Sequence, residues 1–118
     1  MISIRGAITI ENDTRDEVIS STKELLNTII NKNNINTDDI VSIIFTCTKD
    51  IESAYPAIGA REIGLTDAGL LCFNEMYVVG SLSKCIRVLV LLNSDLGQKY
   101  AKHVYLKGAA SLRPDLAE

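Results

Sequence analysis

Tryptophan is absent from this 118-residue chain, proline occurs twice and histidine once. Two prolines and seven glycines are too few for a collagen-like or low-complexity chain. Cysteine occurs only at Cys47, Cys72 and Cys85, an odd number with no C-x-x-C pair. That excludes a disulfide framework and points to reduced thiols in a cytoplasmic protein. His103, the sole histidine, makes no zinc-ligand set with them. The most apolar run, residues 88–92, is far shorter than the roughly 20 residues of a membrane span. The N-terminus reaches a charge at Arg5, too soon for a signal peptide. No membrane partner is expected.

Positive charge is also scarce. Twelve lysines and arginines face fifteen acidic residues, for a net charge of -3 and a pI near 5.1. General nucleic-acid binding rests on basic patches and is not expected here. A small anion is compatible, because arginines gathered in one place make a positive pocket in an acidic protein. Gly59, Gly64 and Gly69 fit neither Walker nor dinucleotide spacing, so no phosphate loop is read.

What is present is ordinary for a soluble globular protein: 47% hydrophobic and 23% charged residues. A chain of this length forms one domain, 1–118, and hides roughly two-thirds of its unfolded surface. Ile2, Ile4, Ile8 and Ile10 alternate with Ser3, Arg5, Ala7 and Thr9, which predicts a strand over 2–10 with Arg5 on the more polar face. Thr14-Arg15-Asp16-Glu17 reads as a capping box. The stripe Val18, Ile19, Leu25, Leu26, Ile29 and Ile30 then extends a helix over 14–33. Further strands are read over 40–47, 70–76 and 85–93, and from Val104 to Leu106. Short helical segments are read after Pro56 to residue 63 and over 97–101.

The fold expected is therefore α+β, or α/β-like: a mixed sheet of about five strands with one long and one or two short helices on one face. So few helices leave a sheet face or edge open, and oligomerisation is a natural way to cover it.

Arg87 is the most informative single residue. It lies in Cys85-Ile86-Arg87-Val88-Leu89, between apolar residues on both strand faces. A charge there needs a carboxylate or an anionic ligand to offset desolvation, unless the arginine reaches solvent at a strand end. Glu75 repeats the pattern in Leu70-Leu71-Cys72-Phe73-Asn74-Glu75. It reads as Arg87's ion-pair partner or as an acceptor for a ligand hydroxyl. Arg5, Arg61 and Arg113 suit bidentate capture of carboxylates if they meet in one cleft, and read as solvated surface residues if they do not. Tyr105 shares a strand face with His103. His103 reads as a surface or strand-end histidine before a general base, since no nucleophile motif accompanies it. Cys72 and Cys85 read as core residues.

The order of several blocks carries more. Ile4-Arg5-Gly6-Ala7 with Thr9 and Glu11, Tyr55-Pro56-Ala57 with Ala60-Arg61-Glu62, and Cys72 with Glu75-Met76 come first. Lys84-Cys85-Ile86-Arg87-Val88, His103-Val104-Tyr105-Leu106 and Leu112-Arg113-Pro114-Asp115-Leu116 follow. In this order, over nearly the whole chain, they resemble the Bacillus-type (AroH-class) chorismate mutases. The resemblance implies a homotrimer with a barrel-like core of three sheets and active sites between subunits. It implies a cofactor-free Claisen rearrangement of chorismate to prephenate, in phenylalanine and tyrosine biosynthesis. Orientation and fixed electrostatics are the means such a reaction leaves to the protein.

By the same resemblance, Arg87 donates to the ether oxygen and Glu75 accepts from the ring hydroxyl. Arg5 and Tyr105 bind the side-chain carboxylate, and Arg61 attracts or closes over the dianion. Tyr55, Leu71, Cys72, Leu112 and Arg113 line or cover the pocket. Ile58, Leu71 and Tyr77 depart from the family pattern, which has lysine, threonine and aspartate there. Those departures motivate an alternative, a non-catalytic trimer that binds a small anionic metabolite; a related trimer with another reaction is a third. Cys72 and Glu75, three apart on a regular strand, are expected on opposite faces.

Overall fold

The computed structural model describes residues 1–115. Five strands form one sheet: β1 (Ile2–Thr9), β2 (Ile40–Cys47), β3 (Gly69–Asn74), β4 (Cys85–Leu92) and β5 (Val104–Leu106), in the order β3-β2-β4-β1-β5. β4 runs antiparallel to both its neighbours, β1 and β2. The two outer pairs, β2 with β3 and β1 with β5, are parallel. The expected mixed sheet is therefore present, and its two helices are α1 (Arg15–Lys32) and α2 (Ala57–Glu62). Short 3₁₀ turns fill in Thr37–Asp39, Gln98–Tyr100 and Lys107–Leu112. Leu116, the end of the last sequence block, lies outside the described residues.

α1 forms where its cap and stripe place it. The Thr14 hydroxyl accepts from the Glu17 N–H at 3.2 Å, and Val18, Ile19, Leu25, Leu26 and Ile29 are buried. Half of the expected capping box is replaced, however. The Glu17 carboxylate accepts from the N–H groups of Glu11 and Asn12, both at 2.9 Å, rather than from Thr14. The Thr14 N–H is already taken by the Asn12 carbonyl, so Glu17 ties down the loop before the helix instead.

Strand alternation divides the sheet. On one face Ile4, Ile8, Ile43, Phe45, Ile86, Val88 and Val90 are buried and pack with the α1 stripe. Each such side chain contributes about 1.5–3 kcal/mol by leaving water. Gly6 permits the close approach. A Cβ there would lie 2.8 Å from Ile29 Cδ1 and 3.1 Å from the Val104 carbonyl oxygen. Thr22, buried on α1 where Gly59 of α2 packs against it, donates its hydroxyl to the Val18 carbonyl at 2.8 Å, so its polar group costs little.

The other face has no helix. Arg5, Ile44, Thr46, Leu71, Phe73, Arg87 and Leu89 lie on it, half-buried or exposed. Only one end is covered. There the Lys107–Leu112 turn packs Ala109 on Ala7 and Cys85, and the Gly108 N–H donates to the Thr9 hydroxyl at 2.9 Å.

Candidate active site

Register sets a row of side chains across the open face. Ala7 pairs with Tyr105 on one side and with Arg87 on the other; Arg87 pairs with Thr46, and Thr46 with Phe73. One residue pair along, Arg5, Leu89, Ile44 and Leu71 form a parallel row. Ala7, between Arg87 and Tyr105, is small enough for Ala109 of the Lys107–Leu112 turn to pack over it. A cavity of about 440 Å³ opens over these rows, with Arg5, Arg87, Tyr105, Leu112 and Arg113 in its wall.

Glu75 follows β3 and continues the Leu71, Phe73 alternation onto the same face. Its N–H still donates to the Cys47 carbonyl at 2.9 Å. Its Oε1 accepts from the Thr46 hydroxyl at 3.0 Å and lies 2.7 Å from Arg87 Nε. The Arg87 Nε is buried, and its N–H is not aligned on any acceptor. The contact is thus an ion pair that fixes the side chain without using its donors well. With 40% of the Arg87 side chain exposed, its remaining donors are open to a ligand.

Nearby groups are committed elsewhere. His103 Nδ1 accepts from the Arg5 backbone N–H at 2.9 Å, so in the neutral ring the proton sits on Nε2. Burial, and then the positive charges of Arg5 and Arg113, hold its pKa below the usual 6.5. It is a structural acceptor for β1 rather than a general base. Arg113 makes a two-point contact with Asp115, Nε to Oδ1 at 3.2 Å and Nη2 to Oδ2 at 3.0 Å. Desolvation pushes the Cys85 thiol up to about 11 and Cys47 to about 12, so neither is a nucleophile near neutral pH.

The remaining expected residues are not in that cavity. Cys72 pairs with Phe45 in the β2–β3 ladder and so faces the helix side, opposite Glu75. It lines a second cavity of about 500 Å³ at the β3 edge, with Tyr55, Ile58 and Phe73. Leu71 stays on the open face, 60% exposed. Arg61 is exposed on α2, one turn beyond Ile58 and outside both cavity walls. Arg15, which the capping pattern had absorbed, does line the second cavity. Thr46 was also missed: threonine is common in strands, and only the register shows it beside Arg87 and Glu75.

Apolar side chains lie exposed from β3 into the loop after it. Phe73 is 51% exposed, Met76 81% and Val79 86%. Exposure of this extent along one edge marks an interaction surface. Among the described residues no helix is long and apolar enough to cross a membrane.

Comparison with known proteins bears on the chain as a whole. Residues 1–116 match the family described as chorismate mutase type I. Chorismate mutase AroH of Thermus thermophilus is 46% identical over 114 residues, which cover 96% of this chain and 93% of that protein. Chorismate mutase AroH of Bacillus subtilis is 41% identical over 115 residues, 97% of this chain and 91% of that protein. The structure of a chorismate mutase from Clostridium thermocellum superposes with a TM-score of 0.92 at 50% identity, over 94% of this chain and 99% of that one.

Proposed function

The chain belongs to the chorismate mutase type I family and acts as an isomerase that turns chorismate into prephenate, and on that footing we propose how its residues divide the work. Chorismate is a dianion. In its rearrangement an ether C–O bond breaks as a C–C bond forms, with no proton transferred. The protein can hold the compact diaxial conformer and place positive charge where the ether oxygen becomes negative. A millionfold acceleration would need roughly 8 kcal/mol from these two effects together.

Arg87 is the donor to the ether oxygen. The observation that carries this role is its buried Nε, held 2.7 Å from Glu75 while the rest of the side chain faces the cavity. A group fixed in advance at the point of charge development needs no reorganisation as the bond breaks. Glu75, oriented by Thr46, accepts from the ring hydroxyl and balances positive charge on the allyl fragment. Arg5 and Tyr105, across Ala7 from Arg87, take the side-chain carboxylate. Leu112 and Arg113 cover the pocket, and Arg113 exchanges its contact with Asp115 for the substrate.

The site is completed across a subunit boundary in a homotrimer. Two features support this: the open sheet face, and the placement of Tyr55 and Cys72 at a second cavity on the other side of β3. In a closed ring the Arg87 half of one copy meets the Tyr55–Cys72 half of the next, with Leu71 and Arg61 near the seam. Three reduced thiols suit a cytoplasmic setting.

Mixing two defective variants tests the arrangement. Arg87→Ala removes the donor from one half; Cys72→Asp sets a carboxylate against the dianion in the other. Co-expressed, they should recover about a quarter of wild-type activity, because that share of shared sites takes an intact half from each copy. Activity no higher than that of the parents, in mixed trimers confirmed by sedimentation, would place each site within one chain.

A further inference from the structure

We infer that Arg15 is a substrate-binding residue that meets a carboxylate of the dianion from the Tyr55–Cys72 half of the site. This rests on the reading that the two halves meet across a subunit boundary.

The cations on the two sides are unevenly distributed. The Arg87 half has three arginines in its wall: Arg5, Arg87 and Arg113. The other half is lined largely by apolar and weakly polar groups, among them Tyr55, Ile58 and Cys72. Its two charged wall residues are Arg15 and Glu52. Without Arg15 this half would present a net negative face to a doubly negative ligand.

Helix stability gives no reason for an arginine at this position. Arg15 is the first residue of α1, where the helix dipole favours anions and disfavours a cation. Asp16 and Glu17 already supply first-turn acidity, and the Thr14 hydroxyl already caps the helix. Among the described residues no carboxylate forms an ion pair with the Arg15 guanidinium. An exposed cation at the wrong end of a helix, in the wall of a cavity, is suited to a ligand carboxylate that the planar fork can grip at two points.

Steady-state kinetics with chorismate test the assignment. Arg15→Ala should raise KM about tenfold while kcat falls less than threefold, because the contact holds substrate and transition state alike. Arg15→Lys should recover part of the loss. Thermal stability should be unchanged or slightly higher, since a cation has left the helix N-terminus. Lys99→Ala removes the same charge from an exposed 3₁₀ turn outside both cavities, and should leave KM within twofold. A KM for Arg15→Ala within twofold of wild type, or an equal rise for Lys99→Ala, overturns the inference. Mixed trimers of Arg87→Ala with Cys72→Asp, assayed in parallel, separate the two layers. If they recover activity and Arg15→Ala is not impaired, only the Arg15 assignment fails. If they recover none, the reading that the halves meet between subunits fails as well.

Discussion

The two faces of the sheet are built from the same strands and serve different ends. β4 shows the contrast most directly: Ile86, Val88 and Val90 are buried against the helices, while Arg87, Leu89 and Leu91 alternate with them on the open side. A side chain on the covered face is held by close packing, and its loss is felt in stability. On the open face it is held by an ion pair and a few hydrogen bonds, and its loss should be felt in rate. The chain thus confines its uncompensated charge to a surface that packing does not depend on, so the site can be demanding electrostatically without weakening the core.

Four substitutions would break or sharpen that division. Phe45→Ala, at a fully buried position, should cost about 3–5 kcal/mol in a denaturant titration, enough to unfold many domains of this size. Arg87→Ala, one position along the register on β4, should instead lower kcat/KM by at least about a hundredfold, or roughly 2.7 kcal/mol, with melting behaviour nearly unchanged. A large loss of stability without loss of rate would reverse the assignment of the faces. Gly6→Ala tests the boundary, since Gly6 touches α1 while its neighbour Arg5 lines the cavity on the open face. Overpacking against Ile29 should cost about 1–3 kcal/mol on urea unfolding, with KM for chorismate little altered.

The smallest effect concerns pH. The folded-state pKa of His103 is depressed, so below 6.5 the unfolded chain binds a proton that the folded chain refuses. Stability should therefore fall as pH drops through that window and be flat above it. Melting temperatures of His103→Gln between pH 5 and 7.5 should show a weaker slope than wild type. An unchanged slope would assign the pH dependence to groups other than His103. Asp13 and Glu17 are depressed too, by hydrogen bonds from Ser53 and the Glu52 backbone, and from the backbones of Glu11 and Asn12 respectively, but their contribution is lost only at lower pH, beneath this window.

Much of this division was legible in the residues. The α1 stripe and its Thr14 cap are local patterns, and both appear in the structure. Arg87 and Glu75 stood out because a charge in an apolar strand demands a partner, and they do pair. The expected opposition of Cys72 and Glu75 follows from the two-residue period of a strand and is also observed. Information that depends on pairing between distant segments was not legible. Nothing local says that β4 lies between β2 and β1, and so nothing says that Thr46 borders Arg87. Arg15 was hidden for a related reason. Beside Thr14 and ahead of Glu17 it looked like filler in a capping motif, and only the hydrogen bonds from Glu52 and Ser53 to Asp13, just before α1, bring it to a cavity wall. Arg61, by contrast, drew notice by resemblance, and it lies exposed on α2, outside both cavity walls.

The sheet order also constrains when the enzyme can come into being. β1 is made first, yet its only partners are β4 and β5, and β2 reaches β1 only through β4. At a synthesis rate of about 5–20 residues per second, β1 waits several seconds for residues 85–92. In that interval Ile2, Ile4 and Ile8 have only the newly formed α1 to shelter them. When β4 arrives it must slot between two waiting strands, closing both ladders at once. Because Arg5 and Tyr105 belong to β1 and β5, their corner of the cavity is assembled last, so a ribosome-bound fragment lacking β5 carries the helix and most of the core but not the whole cavity wall.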